Sequence, residues 1–281
     1  MSTELKKVSF EGDGAEDCEE ETRVCVTHGE YQSRELHLFG IRGHWSGCDK
    51  CQKESDEINK KLNADFAEMA KAERWQGHLR RAGIPERFLD RTLETFQAQT
   101  EPQRAALDFA QHYAEAITTG THQGQCAVFT GKPGTGKTHL AIGIAIKALS
   151  LPTKPAIGYP PNIQIPVVFI TTMRMMRRIK SSWGSDATES ETHAIAAFTK
   201  PDLLILDEVG IQFGSETEKL LFFDVLNERY ERRKPTIFLS NLTIDGIQVY
   251  LGERILDRMR EDGGEVIPFM WESYRSRSVN P

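Results

Sequence analysis

The sequence contains no uninterrupted apolar run near the roughly 20 residues that a bilayer-spanning helix needs. Its first residues are polar and charged, with no basic start leading into an apolar block, so neither export nor membrane insertion is expected and the chain is read as cytoplasmic. It also lacks a basic surplus: 35 Lys and Arg stand against 41 Asp and Glu, a formal net charge of −6. That balance excludes a protein that coats nucleic acid with its whole surface, so any such contact has to come from a local basic patch. No internal repeat is visible. Cysteine is sparse and odd in number: five residues, of which Cys18, Cys25, Cys48 and Cys51 crowd the N-terminal region and Cys126 stands apart. Without an export signal, such clustering favours metal ligation over a disulfide framework.

What is present, 281 residues at 39% hydrophobic content, is enough for one substantial core and a smaller accessory module. Residues 1–23, ending in the acidic run Glu19-Glu20-Glu21, hold too little apolar content to repay the entropy of ordering and are expected to form a mobile tail. Residues 24–54 are rich in Cys, His, Gly and aromatics, as suits a small module held by a metal in place of a core. Residues 55–100 read as a helical linker or partner-binding segment. Within the charged, helix-favouring stretch 53–82, Ile58, Leu62, Phe66 and Met69 recur at helical spacing, and Gly83 and Pro85 follow as stop signals. From 101 to 281, short runs at Ala127–Thr130, Val167–Thr171, Leu203–Leu206, Thr236–Ser240 and Val266–Ile267 alternate with helical stretches. That alternation predicts an α/β domain whose parallel sheet lies between helices. The proline-rich stretch Leu151–Pro166 is expected to be an extended loop.

Gly131-Lys132-Pro133-Gly134-Thr135-Gly136-Lys137-Thr138 fits the phosphate-binding loop pattern and sits after an apolar strand and before a helix, where the mechanism needs it. The glycines let backbone N–H groups turn inward on the phosphates of ATP or ADP, Lys137 reaches the terminal phosphates, and Thr138 ligates Mg²⁺. The apolar run Leu203–Leu206 ends in Asp207 and Glu208. Two carboxylates at the carboxyl end of a buried strand are either a solvated strand end or a catalytic pair. With a phosphate loop upstream, Asp207 is assigned to the Mg²⁺ shell and Glu208 to the attacking water. Asn241, after the strand Thr236–Ser240, suits a γ-phosphate sensor as well as it suits an ordinary strand-ending turn.

Cys25-x-x-His28 and Cys48-x-x-Cys51 form two ligand pairs suited to a closed, tetrahedral Zn²⁺ site, with Cys18, His37 and His44 as possible substitutes for one ligand. Between Met173 and Trp183, Arg174, Arg177, Arg178 and Lys180 occur with no acidic residue among them. Basic side chains beside an aromatic suit a single-stranded nucleic acid; the same pattern also describes a solvated helix whose methionines pack inward.

The strings GKPGTGKTHLA, DLLILDEVGIQ, LGERILDRMR and WESYRSR, in this order and spacing, resemble the AAA+ domain of DnaC-type helicase loaders over roughly Ala127 to Arg277. The resemblance implies that ATP is bound between subunits associated head to tail, and that the chain hydrolyses it while placing a DnaB-type hexameric replicative helicase on single-stranded DNA. It further implies that Arg258, with Arg254 as the alternative, is the arginine supplied to the neighbour's nucleotide, against a reading as surface partners of Glu253 or Asp257. Arg275 becomes the second phosphate sensor, reached from a short C-terminal segment that leaves little room for a separate helical lid. Related loaders and initiators carry a DNA-contacting helix where Arg174–Lys180 lie, which favours the nucleic-acid reading there. The expected zinc module departs from the helical N-terminus of the best-known DnaC loader and is more similar to that of DnaI-type loaders. Two rival functions share parts of the pattern: an IstB-type ATPase that assists a transposase on duplex DNA, and a nucleotide-dependent binding protein without useful hydrolysis.

Overall fold

The computed structural model describes residues 20–38, 41–150, 166–210 and 215–274. The chain divides into two compact units, Met1–Glu73 and Arg74–Pro281. Among the described residues no helix is long and apolar enough to cross a membrane.

In the first unit, strands β1 (Glu20–Cys25), β2 (Gly29–Leu38) and β3 (Ile41–Trp45) form an antiparallel meander. Glu20 to Arg23, expected within the mobile tail, belong instead to β1, because Glu20 pairs with Arg34 and Arg23 with Tyr31 across the ladder. Backbone pairing, which composition does not reveal, orders them; the tail up to residue 19 lies outside the described residues. Helix α1 (Asp49–Arg81) follows, and the boundary between the units falls within it. Its predicted apolar stripe exists and faces solvent: Ile58, Leu62, Phe66 and Met69 are 47–67% exposed.

The second unit is an α/β sandwich. Helices α2 (Glu101–Thr119), α3 (Lys137–Ser150), α4 (Thr172–Ser181), α5 (Glu191–Thr199), α6 (Glu216–Glu231), α7 (Ile244–Leu251) and α8 (Glu253–Glu261) flank five parallel strands. These are β4 (Ala127–Gly131), β5 (Val167–Thr171), β6 (Leu203–Val209), β7 (Thr236–Ser240) and β8 (Glu265–Phe269), in the order β5-β6-β7-β4-β8. Successive strand side chains point to opposite faces. Ala127, Phe129, Leu203, Ile205, Ile237 and Leu239 therefore join α2 and α3 in one core, while Val128, Leu204, Leu206 and Phe238 pack with α4 to α8 in the other.

One part of this unit differs from expectation. Within the segment read as a linker, Leu79, Ala82, Ile84, Leu93 and Phe96 are buried in the first of these cores. They carry no helical or strand period after Arg81, so only tertiary packing identifies them as core. Residues 151–165 of the expected loop lie outside the described residues. The strand order sets the functional end of the sheet: after β4 the chain crosses β7 and β6 to reach β5, and after β7 it passes β4 to reach β8. Ligands in open α/β sheets sit at such a reversal, outside the carboxyl ends of the strands.

Candidate nucleotide and metal sites

The loop Gly131–Thr138 leaves β4 at that end and runs into the first turn of α3. Two of its glycines are required by close approach. A side chain at Gly131, φ 134°, would meet the carbonyl oxygen of Phe269 at 2.3 Å, and one at Gly136, φ 101°, would meet the ring of Phe96 at 2.7 Å. The loop carbonyls are held from outside. Tyr274 N donates to Gly134 O at 2.9 Å and Trp271 Nε1 donates to Thr135 O at 2.8 Å. Across a planar trans peptide the following N–H points the opposite way, so the amides of Thr135 and Gly136 are turned away from these anchors. Lys137 is buried, its ammonium donating to Gly131 O at 2.7 Å and Lys132 O at 2.8 Å.

Trp271 and Tyr274 come from the string that the sequence had valued for Arg275, which itself lies outside the described residues. Tyr274 also donates to Gln97 O at 2.6 Å, and Phe96 packs edge-on against both Tyr274 and His139. The segment before α2 thus lines the phosphate loop, although no local pattern in it signalled a site.

At the end of β6, Asp207 and Glu208 interrupt the ladder: pairing with β7 shifts register between Leu206 and Val209. Glu208 has φ 58°, an uncommon left-handed conformation for a residue with a side chain, and its N–H donates to Asp207 Oδ1 at 2.7 Å. Burial pushes the Asp207 carboxyl above its ordinary value and the Glu208 charge adds to the rise, while the Glu208 amide, the Lys137 charge and the Thr138 hydroxyl oppose it. Lys137, Thr138, Asp207 and Glu208 therefore converge. Asn241 is exposed just beyond β7, whose Ser240 hydroxyl donates to Val209 O at 2.6 Å and so ties the ends of β6 and β7 together. Thr138 and Asp207 form a hydroxyl and carboxylate pair of the hard-oxygen type that Mg²⁺ prefers.

Arg258 is not part of that group. It lies half-buried on α8, its guanidinium donating to Asn227 Oδ1 and lying 4.9 Å over the ring of Tyr230, both on α6. The surface ion pair considered as its alternative role is absent among the described residues; Asp257 pairs with Arg260 at 3.6 Å instead. The side chain of Arg254 lies outside the described residues.

In the first unit the ligand atoms of Cys25, His28, Cys48 and Cys51 all lie within 4.8 Å of one another. His28 Nδ1 is 3.3 Å from Cys51 Sγ, 3.7 Å from Cys48 Sγ and 3.8 Å from Cys25 Sγ, and the Cys25 and Cys51 sulfurs are 3.5 Å apart. Ligands about 2.0–2.3 Å from a tetrahedral zinc are themselves roughly 3.3–3.8 Å apart, and these four separations fall in that range. The backbone amides of His28 and Thr27 hold the Cys25 thiol down at about 6. Glu54, which belongs to no motif, accepts from His28 Nε2 at 3.0 Å and raises the imidazole above its ordinary value. An outer carboxylate of this kind fixes the tautomer that presents Nδ1 to a metal. Cys18 lies outside the described residues, as do the side chains of His37 and His44.

The basic residues of α4 divide into two pairs. Arg178 makes a two-pronged pair with Glu189, at 2.8 and 3.0 Å, and Lys180 pairs with Glu218 at 2.9 Å. Arg174 and Arg177 are exposed and without an ion pair among the described residues, while Met175, Met176 and Ile179 are buried. Trp183 is 46% exposed, with its Nε1 donating to Glu191.

Comparison with known proteins follows the same lines. The family described as "IstB-like ATP binding protein" matches residues 67–280. The replicative helicase loader DnaC of Escherichia coli (strain K12) is 32% identical over 228 residues, covering 80% of this chain and 84% of the relative. DnaC of Buchnera aphidicola subsp. Baizongia pistaciae is 31% identical over 207 residues, 74% of this chain and 78% of that protein. Among solved structures, that of the DnaC helicase loader superposes with a TM-score of 0.53 at 21% identity, covering 66% of this chain and 99% of the other, which supports the shared fold.

Proposed function

Because the chain belongs to the family of IstB-like ATP-binding proteins, we propose that it is an AAA+ ATPase that loads a DnaB-type hexameric replicative helicase onto single-stranded DNA in the cytoplasm. The observation that carries the ATPase part is the convergence of Lys137, Thr138, Asp207 and Glu208 at the reversal point of the sheet. ATP lies with its phosphates against the amides of Gly131–Thr138, and Lys137 exchanges its two loop carbonyls for the terminal phosphates. Thr138 and Asp207 hold Mg²⁺, which neutralises charge on the phosphate oxygens when bound. Glu208 orients the attacking water and accepts its proton, Asn241 reports on the γ-phosphate, and Arg275 contacts phosphate from within the same chain. Arg258 completes the site of the neighbouring subunit in a head-to-tail assembly, which builds a spiral or ring.

The names of the DnaC relatives, matched over about four-fifths of this chain for the Escherichia coli protein, support the loader over the IstB-type helper of transposition. The domains proposed are a zinc module within the first unit and an ATPase within the second, whose core takes in Leu79 to Phe96 of the segment read as a linker. A direct test incubates the chain with its own organism's replicative helicase hexamer and closed circular single-stranded DNA, then separates DNA-bound from free protein. Retention of helicase on the circle that needs ATP and is lost with Lys137→Ala is the expected result. Capture of a transposase and no helicase from lysate with ATP would transfer the assignment to the transposition helper.

A further inference from the structure

Arg258 is held in an unusual way for a surface arginine. Its half-buried guanidinium donates to a neutral amide oxygen, Asn227 Oδ1, and stacks at 4.9 Å on Tyr230. The carboxylates nearest in sequence are otherwise engaged: Tyr230 donates its hydroxyl to Glu261 Oε2 at 2.5 Å, and Asp257 is paired with Arg260. An arginine and a glutamate three residues apart on one helix ordinarily pair, and here the phenol of Tyr230 takes the glutamate instead. An amide and an aromatic face fix a planar guanidinium without cancelling its charge, whereas a carboxylate would do both.

We propose that Asn227 and Tyr230 are positioning residues for Arg258, holding it oriented and uncompensated for the phosphate of the neighbouring subunit, with Glu261 steering Tyr230. This rests on the reading of Arg258 as the arginine supplied in trans. In that reading an arginine serves the transition state only if it arrives already oriented, since misplacement by about 1 Å can cost on the order of a hundredfold in rate.

The test uses mixed assemblies. One full-length chain carries Arg258→Ala and offers an intact pocket, and the second carries Lys137→Ala and offers an intact arginine. ATP hydrolysis by the mixture then comes only from interfaces where the second chain serves the first. Adding Asn227→Ala or Tyr230→Leu to the arginine-donating chain is expected to lower that activity at least about tenfold, mainly in kcat. The same substitution in the pocket-bearing chain, which has no Arg258 to position, is expected to leave the mixture as it was. Tyr230→Phe in the donor keeps the ring but not the bond to Glu261, and is expected to retain more activity than Tyr230→Leu. Recovery in the parental mixture with equal losses from either chain would make the two residues merely structural and overturn the positioning role. No recovery in the parental mixture, with co-assembly demonstrated, would overturn the trans arginine itself.

Discussion

The backbone N–H of Glu208 donates to Oδ1 of Asp207 at 2.7 Å, from a residue whose φ is 58°. The left-handed turn comes where pairing with β7 shifts register, between Leu206 and Val209. Strain of this kind costs on the order of 1 kcal/mol and persists where its surroundings over-determine it. Glu208→Gln keeps the backbone and loses only the proton acceptor. It is expected to bind ATP like the parent and hydrolyse it at least about tenfold more slowly. Glu208→Gly, equally inactive, is expected to unfold at no lower a temperature than Glu208→Gln, since glycine adopts this φ freely. Parent-like turnover by the glutamine variant would remove Glu208 from the chemistry.

Asp207 allows a prediction with a pH window. Its carboxyl is raised by burial above the ordinary 3.8, so ionisation weakens the folded state. The penalty is complete above the raised value, shrinks as pH falls through it, and vanishes below 3.8, where folded and unfolded chains are both protonated. Asp207→Asn is therefore expected to raise the unfolding temperature at neutral pH without nucleotide or Mg²⁺, and to lose that advantage toward pH 3.8, while abolishing hydrolysis. Thermal unfolding across pH checks the sign; a stability gain that grows toward acid contradicts it.

The anchor from Trp271 to Thr135 O is separable from its packing. Trp271→Phe keeps an aromatic ring against Phe269 and removes the indole N–H. Losing one hydrogen bond of about 1 kcal/mol predicts an ATP dissociation constant about fivefold higher, measured by isothermal titration, with the second unit still folded. Lys137→Ala, by contrast, is expected to lose measurable nucleotide binding.

The sequence made the sheet legible because buried parallel strands are short aliphatic runs, and the phosphate loop legible because its chemistry demands contiguous residues. Residues acting across long separations were hidden. Trp271 meets Thr135 far along the chain, Glu189 and Glu218 come from outside α4 to neutralise Arg178 and Lys180, and Phe96 lies in an aperiodic segment. The meander β1–β3 was missed for another reason. Its first strand, β1, carries mostly polar and exposed residues, so no alternation of apolar side chains marked it.

For the metal module, one zinc per chain is expected in protein purified without chelator. Cys48→Ser is expected to release it while ATP binding by the second unit persists, because that unit has its own core. Glu54→Gln leaves all four ligands in place but weakens the partner of His28 Nε2, and predicts a zinc affinity about tenfold lower in competition with a chromophoric chelator. Unchanged affinity would reduce Glu54 to an incidental surface neighbour.

The pairing on α4 gives the last prediction its form. If the helix contacts a single strand, the charge available for phosphates is that of Arg174 and Arg177, since Arg178 and Lys180 already face Glu189 and Glu218. Each phosphate contact on single-stranded DNA contributes about 0.7 to the slope of log affinity against log salt. The double substitution Arg174→Ala with Arg177→Ala is therefore expected to reduce that slope by about 1.4, read by anisotropy of a labelled oligonucleotide at several salt concentrations. Arg178→Ala is expected to change the slope little and to act on stability, through the lost two-pronged pair with Glu189. Glu189→Gln supplies the complementary arm: it releases the Arg178 charge, so binding is expected to tighten and the slope to steepen. A larger slope change from Arg178→Ala than from the double substitution would mean that the pair with Glu189 opens on DNA and that the whole basic face is engaged. No change from either would leave α4 as a solvated helix with its methionines in the core.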